Sequence, residues 1–147
     1  MLIANRGEIS VRVQDTLRRM GIKSVAVYSD ADRFTKPVLE ADEHVRIGPG
    51  SASESYLCIG AIVAACRRTG AEAVHPGYGF LSENASFARA LADAGVAFVG
   101  PRPEHLELFG LKHTARDAAQ SCGLSLLPGS GLLETAESAL SAAERIG

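Results

Sequence analysis

The densest run of chemically capable side chains is His75-Pro76-Gly77-Tyr78-Gly79-Phe80-Leu81-Ser82-Glu83-Asn84. It brings an imidazole, a phenol and a carboxylate into one short stretch. Two glycines around a tyrosine form a tight loop that exposes backbone amides, and Ser82 or Asn84 is a cap for a following helix. Such a loop either only joins two elements or presents its side chains to a ligand. The concentration of Gly, Tyr, His and Glu favours the second reading. A proline directly after His75 suits a histidine that stiffens the loop more than one that moves protons.

Three other places could carry charge chemistry. In Asn5-Arg6-Gly7-Glu8 a glycine at a helix start lets the backbone bend sharply or approach an anion; the plain alternative is a helix start with an acidic first turn. Asp30 and Asp32 stand where an acid binds ribose in dinucleotide folds, but G-x-G-x-x-G is absent from the preceding turn, so they read as turn or cap residues. Lys112, beside Gly110 at a helix start, is a point charge suited to a phosphate, or else a solvated surface lysine. His44, His75, His105 and His113 show no ligand spacing with each other or with cysteine, so no metal site is expected. Neither a G-x-x-x-x-G-K-[ST] loop nor a G-x-S-x-G elbow occurs.

These residues need elements to position them, and the chain supplies a regular alternation. Short apolar runs at Leu2–Ala4, Ser24–Tyr28, Glu43–Ile47, Ala73–His75 and Val96–Val99 read as strands. Helical spacing links Ile9, Val13, Leu17 and Met20, then Ile59, Ile62, Val63 and Cys66, then Phe87, Ala88, Leu91 and Ala92. Gly21, Gly70 and Gly95 follow as stops. This rhythm predicts βαβ units and a mostly parallel sheet, an α/β fold whose ligands approach the carboxyl ends of the strands. After Pro103 the texture changes. Glu104–Phe109 is a short helix candidate, Gly110-Leu111-Lys112 interrupts it, and His113–Ser121 is helical. Leu124–Leu127 looks strand-like, and Glu134–Arg145 is a helix rich in small residues. The organisation expected is one complete domain over residues 1–103 and the opening elements of a second, cut short, over 104–147.

Composition narrows the classes. The chain has 147 residues, with 46% hydrophobic and 22% charged side chains, which is ordinary globular chemistry. At this length about two-thirds of the unfolded chain's surface can be buried. A net charge of −2 argues against a nucleic-acid partner. No apolar run approaches the ~20 residues of a membrane helix, and Met1–Ala4 meets Asn5-Arg6-Gly7-Glu8 without a secretory pattern. Cys58, Cys66 and Cys122 are odd in number and contain no C-x-x-C pair, so buried thiols in a reducing, cytoplasmic compartment are expected.

Several segments, taken in order, resemble one family. Leu2–Ile9, Ala26–Asp32, Ala41-Asp42-Glu43 with Ile47-Gly48-Pro49, His75–Asn84 and Phe98-Val99-Gly100-Pro101 look like the N-terminal domain of biotin carboxylase. The resemblance implies a Rossmann-like pre-ATP-grasp domain with a parallel sheet, followed by the first elements of an ATP-grasp domain. Family members use ATP, a divalent metal (magnesium or manganese) and bicarbonate to form carboxyphosphate, then carboxylate the ureido nitrogen of protein-linked biotin. A finer likeness to the urea carboxylase branch, often fused as urea amidolyase, lies in Phe109–Arg116 and Leu127–Leu133. Other branches often carry Met-Gly-Asp-Lys where this chain has Leu111 before Lys112.

Carried over by position, Lys112 matches the lysine on the nucleotide phosphates. Tyr78, Gly79 and Glu83 match the loop near the carboxylation centre. Arg6 and Arg12 receive no chemical step, and Asp15 stands where some dimeric relatives carry a basic interface residue. The family's ATP lid, metal carboxylates, bicarbonate-holding cations and catalytic arginine have no counterpart here. The chain alone is therefore expected to hold no catalytic residue and to be inactive. Its implied partners are the rest of the ATP-grasp domain and a biotin carrier domain. The alternatives weighed are a non-catalytic α/β scaffold or partner-binding module, and a nicotinamide-dependent dehydrogenase domain, which the missing glycine fingerprint disfavours.

Overall fold

The computed structural model describes residues 1–147, which form two compact units, Met1–Pro103 and Glu104–Gly147. The first unit is a five-stranded parallel sheet: β1 (Leu2–Ile3), β2 (Val25–Ser29), β3 (Glu43–Gly48), β4 (Ala73–His75) and β5 (Ala97–Phe98), in the order β3-β2-β1-β4-β5. Between them run α1 (Gly7–Arg19), α2 (Lys36–Glu40), α3 (Ile59–Thr69) and α4 (Ala85–Asp93). The α/β architecture with a parallel sheet is the one the alternation predicts.

The sheet's pleat sorts its side chains. Leu2 and Ile3 are both fully buried but belong to opposite faces. Ile3 meets Ile9, Val13 and Leu17 of α1. Leu2, Val25, Val27 and Val74 join Ile62 and Cys66 of α3 with Phe87 and Leu91 of α4 in the larger core. Helix periodicity and strand alternation thus point at the same two interiors. The exits from the helices are equally determined. Gly70 takes φ +62, a conformation that costs glycine little, and the next amide, Ala71 N–H, donates to the Cys66 carbonyl at 3.0 Å before β4 begins.

The strand order has one functional consequence. The chain moves outward from β1 through β2 to β3, then returns across β1 to place β4 on its other side. The crevice at the carboxyl ends of β1 and β4 is the topological switch point, where ligands enter folds of this kind. Asn5–Glu8 and Pro76–Asn84 leave the sheet at these two ends.

The second unit contains α5 (Pro103–Gly110, whose first residue closes the first unit), α6 (Lys112–Ser121) and α7 (Ala136–Ile146). Thr114 Oγ1 donates to the Leu108 and Leu111 carbonyls at 2.7 and 2.9 Å, joining the end of α5 to the start of α6. Three sequence expectations need correction. Of the three cysteines expected to be buried, only Cys66 is, while Cys58 is half-buried and Cys122 is exposed in the second unit, which has little core to cover it. Leu124–Leu127 is not a strand: it has no neighbouring strand to pair with, and its ends are held instead by Leu124 N–H donating to the Ala119 carbonyl at 3.1 Å and by the Arg116 guanidinium donating to the Leu127 carbonyl at 3.0 Å. The short helix α2 was missed, because it has only five residues, with Pro37 in its first turn, and shows no full helical period.

Candidate functional site

The loop after β4 turns three times in unusual backbone space. Gly77 and Gly79 adopt φ +67 and +66, and Phe80 is the only non-glycine residue with positive φ, at 40°. A bulky residue there stores strain of order 1–3 kcal/mol, and the surroundings must hold it. The Phe80 ring stacks on Tyr56, with centroids 5.1 Å apart and planes within 13°. Asn84 closes the loop as the cap of α4: its Oδ1 accepts the Phe87 N–H at 2.9 Å, whereas Ser82 uses its backbone to reach Gly79.

Two side chains hold the loop from below. His75 Nδ1 accepts the Gly77 N–H at 3.0 Å, which leaves the ring proton on Nε2. Burial, assisted by the Arg12 charge, holds this imidazole below its ordinary value, so it is neutral at pH 7. Asn5, buried at the end of β1, donates to the Pro76 and Tyr78 carbonyls at 2.8 Å each.

Tyr78 stands largely exposed above this base, and its hydroxyl donates to Glu8 Oε2 at 3.1 Å. That bond and the negative charge of Glu8 raise the phenol above its usual value. With its proton committed to Glu8, the Tyr78 oxygen retains lone pairs for a donor arriving from outside. A recess of about 370 Å³ separates Asn5-Arg6-Gly7 from Tyr78-Gly79-Phe80.

Arg6 forms the cationic side of the recess. Its guanidinium carbon lies 5.7 Å from the Tyr56 ring centre and 5.9 Å from that of Phe80, and its Nη1 reaches Asp32 at 3.4 Å. Asp32 also accepts the hydroxyl protons of Ser29, at 2.9 Å, and Tyr56, at 2.8 Å. The Tyr56 oxygen in turn accepts the Ser29 N–H at 3.1 Å. Burial pushes the Tyr56 phenol up to about 12; the Ser29 N–H opposes this and Asp32 reinforces it. Asp32 is thus committed within the protein and not presented to a ribose. Asp30 likewise grips Arg46 through two contacts of 2.7 and 2.6 Å, which holds its carboxyl below the usual range.

Of the residues singled out from sequence, Tyr78 and Gly79 share this recess. Glu83 is exposed in the turn just before Asn84 and makes no hydrogen bond to Tyr78 or Glu8. Lys112 is an exposed first residue of α6, in the second unit. Asn5, Glu8 and Tyr56 were not named as site residues. Asn5 and Glu8 lay within a flagged motif, but nothing in their spacing shows a reach across some 70 positions. Tyr56 sits in a segment without periodicity. No three His, Cys, Asp or Glu side chains gather as metal ligands. The arrangement can bind and orient a polar group through a cation, a phenol oxygen and loop backbone.

A family model described as biotin carboxylase, N-terminal domain, matches residues 1–106. The chain is 53% identical, over its whole length, to a propionyl-CoA carboxylase alpha chain of Ruegeria pomeroyi, of which it covers 22%. It is 48% identical over 99% of its length to a urea amidolyase of Lachancea kluyveri, of which it covers 8%. Among solved structures, the biotin carboxylase domain of a Hydrogenobacter thermophilus 2-oxoglutarate carboxylase, in complex with MgADP, ADP and bicarbonate, superposes with a TM-score of 0.92 at 40% identity, over 99% of this chain and 32% of that one. The chain therefore spans between about a twelfth and a third of these proteins.

Proposed function

The chain belongs to the biotin carboxylase N-terminal domain family, and from that premise we propose that it forms one wall of a site where ATP and bicarbonate are used to carboxylate protein-linked biotin. The observation that carries the reading is the coincidence of two independent lines: the family match covers the strands that build the switch point, and the His75–Asn84 loop leaves the sheet there. Tyr78, Gly79 and Glu83 border the place where the ureido group enters. Lys112 meets the nucleotide phosphates as a point charge. ATP, bicarbonate and magnesium or manganese act in the whole enzyme. No step on the metal is assigned to these residues, since they gather no ligand set for one.

The partners in this reading are the remainder of the ATP-grasp domain, begun by residues 104–147, and a biotin carrier domain. For the final acceptor we propose urea. Its support is the pair of segments 109–116 and 127–133, since overall identity is as high to a propionyl-CoA carboxylase as to a urea amidolyase. We place the enzyme in the cytoplasm, where its three free thiols stay reduced. No helix is long and apolar enough to cross a membrane.

Phosphate release tests the reading. A full-length carboxylase carrying this segment should show bicarbonate-stimulated ATP turnover with biotin, and the 147-residue chain alone should show none and bind ATP weakly. In the full-length enzyme Lys112→Met should raise KM for ATP. An unchanged KM would remove Lys112 from the site, and turnover by the short chain would overturn the assignment of bond-making groups to other segments.

A further inference from the structure

We propose that Asn5 is a positioning residue for this reaction: its side-chain amide clamps the loop after β4 onto the end of β1 and thereby sets where the Tyr78 ring stands. The proposal rests on the reading of the Tyr78 loop as the biotin-facing one. Both Nδ2 protons of Asn5 are used, one on the Pro76 carbonyl and one on the Tyr78 carbonyl, and Oδ1 accepts the Arg6 N–H at 2.9 Å. All three hydrogen-bonding atoms of the amide are therefore engaged in a side chain that is only 5% exposed.

Gly77 lies directly against this amide. A Cβ there would come within 2.7 Å of Nδ2 and 3.1 Å of Cγ, so loop and side chain fit only because the residue is glycine. The main-chain ladder delivers the loop to the clamp, since Ala4 N–H donates to the His75 carbonyl at 2.9 Å. Beyond that bond, Pro76 O, Gly77 N and Tyr78 O are all held by side chains, those of Asn5 and His75.

The clamp matters because packing does not hold Tyr78. Its side chain is 63% exposed, and its one hydrogen bond goes to Glu8, three residues beyond Asn5. One short segment thus fixes the loop backbone with Asn5 and receives the phenol with Glu8. Losing the clamp leaves the hydroxyl to find Glu8 from a mobile loop. A displacement of about 1 Å at a substrate-facing group can cost ~100-fold in rate. Aspartate has nearly the same shape but no donor, and would face two carbonyl oxygens with a negative charge.

The test begins with the unmutated 147-residue chain, where both Asn5 side-chain amide protons should exchange slowly with solvent by NMR. In Asn5→Asp and Asn5→Ser, Tyr78 should titrate at the ordinary tyrosine value. Amides of residues 77–80 should exchange at least about tenfold faster, while Tyr56 keeps its high titration and reports an intact core. In the full-length carboxylase Asn5→Asp should lower kcat/KM for biotin by about tenfold or more, with KM for ATP unchanged. Free exchange of the Asn5 amide in the unmutated chain would overturn the clamp, as would an unaltered Tyr78 titration in a folded variant. Altered loop signals with unaltered biotin kinetics would overturn the positioning role. A full-length enzyme without biotin-dependent turnover would instead sink the functional reading and leave the NMR result for the clamp standing.

Discussion

The two units carry similar helical patterning and put it to opposite uses. In residues 1–103 each apolar stripe has a sheet face to cover, and Ile3, Ile62, Phe87 and Leu91 reach zero exposure. In residues 104–147 the helices have no sheet, and only Leu106 and Ala142 are buried. Phe109, Leu111, Leu124, Leu132 and Leu140 are more than half exposed, and Leu127 is 83% exposed. An apolar groove of about 690 Å³ runs past Leu108, Phe109, Ala118 and Leu124 within that unit. Amphipathic spacing is therefore a request for a partner layer, which the first unit contains and the second lacks.

The most severe test is to separate the units between Pro103 and Glu104. The first should keep a single cooperative denaturant transition. The second, with two buried side chains, should bind a hydrophobic dye and unfold without a transition. A cooperative transition in isolated 104–147 would break the contrast. Next in size is a matched pair of truncations. Phe87→Ala removes a fully buried ring from the larger core and should cost about 3–5 kcal/mol in urea denaturation. Leu140→Ala, at 64% exposure, should stay within about 0.5 kcal/mol. Equal costs would show that the second unit has a core of its own.

The same contrast explains what could be read in advance. The strands and long helices of the first unit were legible because period two and period 3.6 each recur against a shared interior, as Leu2 and Ile3 show within one short strand. Leu124–Leu127 misled for the converse reason: its residue types favour a strand, but a strand is a relation to a neighbour, and none is present. In the site, the glycine-rich loop and Tyr78 were visible as a motif. The bonds that give the motif its shape were not, since Asn5 to Tyr78, Glu8 to Tyr78 and Asp32 to Tyr56 all join residues far apart in the chain. Composition shows which side chains could act, and strand order decides which of them meet.

The smallest effect sharpens the comparison most, because the chemistry removed is the same on both sides. Asn84 caps α4 by accepting the Phe87 N–H at 2.9 Å, and Thr135 caps α7 by accepting the Ser138 N–H at 3.1 Å, with Ser138 Oγ returning the contact to the Thr135 N–H at 3.2 Å. Replacing either by alanine strands a helix-end donor and costs about 1 kcal/mol locally. In α4 the freed amide belongs to Phe87, whose ring is in the core, so Asn84→Ala should shift the global transition by that full amount. In α7 the single buried residue is Ala142, two turns further on, so the first turn can open without disturbing anything packed. Thr135→Ala should therefore leave the transition unmoved and appear as faster amide exchange at Ser138 and Ala139. A shift of the global transition by Thr135→Ala equal to that of Asn84→Ala would mean that α7 is coupled to the main core, and the division into one self-sufficient layer and one awaiting a partner would fail at that helix.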